Sequence, residues 1–126
     1  MSTDRFVGGL ENIDAELVAG EALSAGDAVE VSNDNEVSQV TANGDPAYGV
    51  CMYDAANGDS VAVATTAAKV RVNASTDAGP GPAAAQTDGT VDDAGADDAV
   101  LGYITESESG GDAIMTVTAG NGEGNA

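Results

Sequence analysis

Residues 48–65 (YGVCMYDAANGDSVAVAT) and 101–118 (LGYITESESGGDAIMTVT) align without a gap, 53 positions apart. Gly49 falls on Gly102, Gly58 on Gly111 and Asp59 on Asp112. Upstream, 25–37 (AGDAVEVSNDNEV) aligns with 78–91 (AGPGPAAAQTDGTV) once one residue is inserted. The repeated stretches alternate Val and Ala with polar residues between Gly- and Asp-rich turns. That is the period of half-buried strands, not of helices. The chain is therefore expected to be one β-rich unit built twice, over about 25–64 and 78–117.

Turn chemistry divides these spans into strands. Ala28–Val31 alternates after the Gly26-Asp27 turn, and Ser32 to Asn35 turns the chain into a strand holding Val37 and Val40. Tyr48–Tyr53 is a short apolar strand, and Asn57-Gly58-Asp59 leads into Val61–Val63. Lys69–Val72 alternates again. In the second unit Gly79-Pro80-Gly81-Pro82 is expected to be a loop or an edge, since proline cannot donate to a ladder. Asp88-Gly89 turns into Thr90-Val91, 92–98 is a solvated acidic loop, and Val100–Thr105 and Ile114–Thr118 are the last strands. Short strands with turns every 8–12 residues predict an all-β fold, a small β-barrel or β-sandwich of two repeated units. The expected organisation is an N-terminal arm over 1–20, a single β domain over 21–120 and a flexible tail over 121–126.

Charge excludes two partner classes. Twenty-two acidic residues against three basic ones (Arg5, Lys69, Arg71) give a net charge of −19. Such a surface repels phosphate backbones and anionic lipid, so neither nucleic acid nor membrane is an expected partner. Its simplest reading is adaptation to brine, where molar salt shortens the screening length to about 3 Å. No apolar run approaches the ~18 residues that cross a bilayer, and the N-terminus lacks a charged-then-apolar signal pattern.

Catalytic chemistry finds little to work with. The chain has no His, which removes His-activated nucleophiles and His-based zinc sites. Cys51, the single cysteine, sits in an apolar run and reads as a buried small hydrophobe. The Asp92, Asp93, Asp97, Asp98 cluster lacks the spacing of a twelve-residue calcium loop. No catalytic residue, cofactor or metal site is expected.

The first twenty residues lie outside the repeat yet carry the only Phe. Leu10, Ile13 and Leu17 fall at spacings of three and four, which suits a short amphipathic helix; an extended docking arm fits equally, and the plainer alternative is a terminal segment packed on its own domain. Phe6, Val7, Leu10, Ile13 and Leu17, with Arg5 as a charge-assisted contact, form the expected partner-binding set.

The stretches LVAGEALSAGDAVEVS (17–32), AYGVCMYDAANGDSVAVAT (47–65) and LGYITESESGGDAIMTV (101–117) resemble the small duplicated β-domain family of capsid decoration, or cement, proteins of tailed viruses. The likeness runs through about 17–118 and departs at 79–85 (GPGPAAA), where the second-round strand is replaced by prolines and alanines. The resemblance implies a virion protein on the outer capsid surface that binds the major capsid protein and itself, as trimers at three-fold and quasi-three-fold positions. It carries no catalytic residues. The acidity adds a haloarchaeal host. Two alternatives stand beside it: another virion part, such as a tail-tube or spike subunit, and a haloarchaeal cell-surface β-module.

Overall fold

The computed structural model describes the backbone of residues 6–9 and, in full, residues 12–66, 68–108 and 111–118. Eleven strands and no helix occupy the described residues: β1 (Phe6–Gly9), β2 (Ile13–Ala19), β3 (Ala28–Asn33), β4 (Glu36–Ser38), β5 (Gly49–Cys51), β6 (Ser60–Ala64), β7 (Ala68–Asn73), β8 (Gly81–Ala85), β9 (Val91–Asp93), β10 (Gly102–Glu108) and β11 (Asp112–Val117). Strands β2-β4-β3-β5-β6 form a closed barrel, and a six-stranded sheet runs β1-β7-β11-β10-β8-β9. The all-β expectation holds, with a barrel and a sheet packed together.

The repeat is larger than its sequence signature. Reading around the barrel gives β2-β6-β5-β3-β4, and the sheet gives β7-β11-β10-β8-β9, the same five-strand unit in the same order. Strand β7 is thus the counterpart of β2, although the two sequences share no motif. Parallel pairing of β2 with β4 (Val18↔Glu36, Ala19↔Val37) closes the first unit. The second retains only one such contact, the parallel bridge Ala74↔Val91. Strand β1 pairs antiparallel with the early part of β7 (Phe6↔Val70, Gly8↔Lys69). The unit-one turn at Gly58 and its counterpart at Gly111 both adopt positive φ (92° and 88°), a conformation that costs glycine nothing.

Two apolar clusters follow from this arrangement. Leu17, Ala19, Leu23, Val29, Val37, Cys51, Ala55, Val61 and Val63 fill the barrel, with Tyr48 against them. The second cluster lies between the units: Ala28, Val50, Met52, Ala62 and Ala64 from the barrel's outer wall meet Val70, Val72, Ile104, Met115 and Val117 from the sheet. Small side chains dominate the second cluster, so unit packs on unit at close range. Alternation along β7, buried at Ala68, Val70 and Val72 and part-exposed at Lys69, Arg71 and Asn73, gives the sheet one inner and one outer face.

One carboxylate holds the units in register. Asp27 is 5% exposed. Its Oδ2 accepts from Ser24 N–H at 2.9 Å and from the Gln39 amide at 3.3 Å, while Oδ1 accepts from the Asn73 amide at 3.0 Å. Gly89, with φ 87°, lies so close that a Cβ there would come within 2.7 Å of the Asp27 carboxyl. From the same turn, the Gly89 carbonyl accepts Ala28 N–H at 2.8 Å.

Three sequence expectations are corrected. Residues 13–19 form a barrel strand, not a helix, and a β-bulge between Asp14 and Leu17 accounts for the helix-like spacing of their apolar residues. Residues 81–85 are strand β8, enclosed between β10 and β9 instead of forming a loop or an edge. Pro82 is the second residue of that strand, and its carbonyl still accepts Ala94 N–H at 3.0 Å. The acidic stretch after Val91 begins as strand β9 before it becomes a loop at residue 94.

Candidate interaction face

The described members of the expected partner-binding set fall on two different strands, β1 and β2. Arg5 and Leu10 lie outside the described residues. Phe6 and Val7 belong to β1, whose backbone runs along β7 of the same chain. Ile13 opens β2 and is 43% exposed. Leu17 is 4% exposed inside the barrel, so it serves the chain's own core and offers no surface to a partner.

Several other features resolve into structural roles. Cys51 is buried and its Sγ lies 2.9 Å from the Tyr53 carbonyl. At the end of β9, Asp93 Oδ1 accepts Gly79 N–H at 3.0 Å, and in the acidic loop Asp98 Oδ2 accepts Gly95 N–H at 2.8 Å. The first bond ties β9 to the loop before β8, and the second stabilises a local turn. Among the described residues no group of three His, Cys, Asp or Glu side chains is placed to share a metal ion. Tyr48 donates its hydroxyl to Asp14 at 2.8 Å, and that bond, with burial and the Asp14 charge, raises its pKa.

A different surface stands out: the outer face of the sheet. Cross-strand register puts Pro82 opposite Tyr103, Tyr103 opposite Thr116, and Thr116 opposite Lys69. The row crosses β8, β10, β11 and β7 and ends against Gly8 of β1. Tyr103 is 52% exposed, the most exposed large apolar side chain among the described residues, and Pro82 is exposed beside it. One row along, Ile114 stands opposite Glu106 and Arg71. The Arg71 Nε donates to Glu108 Oε1 at 2.8 Å and Nη2 to Oε2 at 3.3 Å. That forked contact holds the Glu108 pKa below the ordinary carboxylate range. Lys69 makes no ion pair among the described residues. Both described cations of a chain of net charge −19 thus lie on this one face, and Lys69 is the one without a salt bridge.

The sequence missed Tyr103 as a surface feature. Its signal was present in the aligned stretches, where Val50 stands against Tyr103. Val50 is fully buried.

The comparisons show a shared fold. No family model matches the chain. No curated protein matches it either. Among solved structures, the chain is similar in fold to a virus head-fiber component, with a TM-score of 0.65 at 21% sequence identity. That structure is the N base of head fiber gp8.5 of bacteriophage phi29; the match covers 88% of this chain and 95% of that one.

Proposed function

We propose that the chain is a structural protein of a virion, which decorates and stabilises the capsid by binding the outer surface of the major capsid protein lattice. It does so as a homotrimer at three-fold and quasi-three-fold positions, and its role is structural, not enzymatic. The observation that carries this reading is a fold shared across nearly the full length of both chains with the base of a head fiber. The duplicated β-unit supports it, since a compact bridging module needs packing surface and no catalytic apparatus. Mass action supplies the mechanism: a protein that binds only the assembled shell shifts the equilibrium toward that shell.

The test is the composition of purified particles. A decoration protein is recovered with intact particles in a fixed ratio to the major capsid protein, and its removal lowers their resistance to heat. Recovery only in the unassembled fraction overturns the reading, and recovery solely with detached tails favours a tail-tube or spike subunit.

The acidic surface supports a haloarchaeal host. A net charge of −19 on 126 residues opposes compaction at low ionic strength, and screening relieves it. The melting temperature should rise steadily between about 0.1 M and about 2 M KCl, and a flat or falling profile would remove the halophilic component.

A further inference from the structure

We infer that the outer row Pro82–Tyr103–Thr116–Lys69 is the docking face of this protein, and that its occupant is a protein surface of the shell with an apolar centre and a carboxylate opposite Lys69. The inference rests on the capsid-binding role proposed above and adds the face through which it acts.

The internal repeat carries the argument. In unit one, register builds the corresponding row: Ala28 opposite Val50, Val50 opposite Ala64, and Ala64 opposite Ile13. It crosses β3, β5, β6 and β2, the counterparts of β8, β10, β11 and β7. Gly49 immediately precedes Val50, as Gly102 precedes Tyr103. Ala28, Val50 and Ala64 have no exposed surface, because unit two lies over them. The fold thus already uses this row as a packing face once. In unit two the same row is exposed at Pro82 and Tyr103, with none of the described residues packed over it there.

The chemistry of the two rows differs accordingly. Ala, Val and Ala suit a permanent core. Pro, Tyr, Thr and Lys suit a face that is soluble alone and buried on assembly, because tyrosine offers a large apolar ring with a polar tip. The row contains no acid in a chain with 22 of them. Elsewhere on so acidic a chain a carboxylate-bearing partner meets repulsion; here it meets the ammonium of Lys69, which has no salt bridge among the described residues. Electrostatic complementarity of this kind fixes orientation and rejects wrong partners.

The test uses full-length protein and purified particles from which it has been stripped. Wild-type chain is added back, beside Tyr103→Ser/Lys69→Glu and, as a control, Val31→Ser at an exposed site on the barrel. The double variant should bind at least about tenfold more weakly with an unchanged melting temperature, and the control should bind normally. If the double variant melts early, Lys69→Glu alone carries the comparison. Wild-type chain that fails to rebind overturns the capsid reading itself. Wild-type chain that rebinds while the variants rebind equally well overturns only the docking face. Variants that lose self-association in light scattering but keep particle binding also overturn it, by assigning the row to a second copy.

Discussion

Replacing Gly49 with alanine should reduce stability by about 3 kcal/mol or unfold the protein outright. A Cβ at this position would lie 2.7 Å from Val63 Cγ1 and closer still to the Ala64 carbonyl oxygen. A flexible side chain can step aside from such a contact, but a carbonyl fixed in a ladder cannot. Val50, the next residue, is paired with Ala64, so the two backbones have no room to part. Gly102→Ala meets the same obstacle one unit later, with the Thr116 carbonyl oxygen at 2.5 Å and Met115 Cγ at 2.8 Å. Gly58→Ala provides the contrast. Nothing lies within 4 Å of its Cβ position, and only the positive φ of 92° opposes the change, at about 1 kcal/mol. Urea denaturation of the three variants at molar salt measures the ranking. A Gly49→Ala protein within about 1 kcal/mol of wild type would show that β5 and β6 are not held as close as described.

Asp27→Ala is the second large effect, expected at about 3 kcal/mol. The substitution removes the shared acceptor of Ser24 N–H and the amides of Gln39 and Asn73 at a buried carboxylate, leaving the Asn73 amide only its bond to the Ala25 carbonyl. Asn73 belongs to β7 and Ser24 precedes the barrel strand β3, so the loss falls on the joint between units. Removing one negative charge works in the opposite direction by relieving repulsion, which is why the comparison belongs in molar salt. Asp27→Asn keeps one acceptor oxygen and should cost about 1 kcal/mol. Calorimetry distinguishes the mechanism: a weakened joint splits one transition into two, whereas a barrel defect lowers a single transition. Two variants equal to wild type would show that Asp27 contributes no net stability.

Much of the fold was legible because turns and strands are local. Gly58, Gly111 and the Asp88-Gly89 pair marked turns that the structure contains, and Lys69–Val72 alternates as written, whereas Val61–Val63 forms a strand buried on both faces. Two elements were hidden for physical reasons. In β2 a bulge shifts the alternation, so Ile13 faces outward and Leu17 inward at a spacing that imitates a helix. In β8 the proline suggests a break, yet the strand persists because Ala83 and Ala85 fit the tight space against the barrel. The kinship of β2 and β7 left no trace in sequence, since an interior asks only for apolar side chains on alternate residues. The candidate face was half legible: Val50 against Tyr103 marks a change of environment, but only the register shows that Lys69 shares its row.

The first unit is a closed barrel, and closure removes strand edges altogether. Among the described residues the sheet's edges fall on its terminal strands, β1 and β9, the latter partly closed by the Ala74↔Val91 bridge, and both are short. Two of the three residues in β9 are Asp, and two of the four in β1 are Gly. Charge on one edge and weak strand propensity on the other discourage a neighbouring chain from extending the sheet. Open sheet edges carry a hazard of fibril-like polymerisation, and this molecule meets it through architecture: one unit has no edges, and the other has edges that make poor templates.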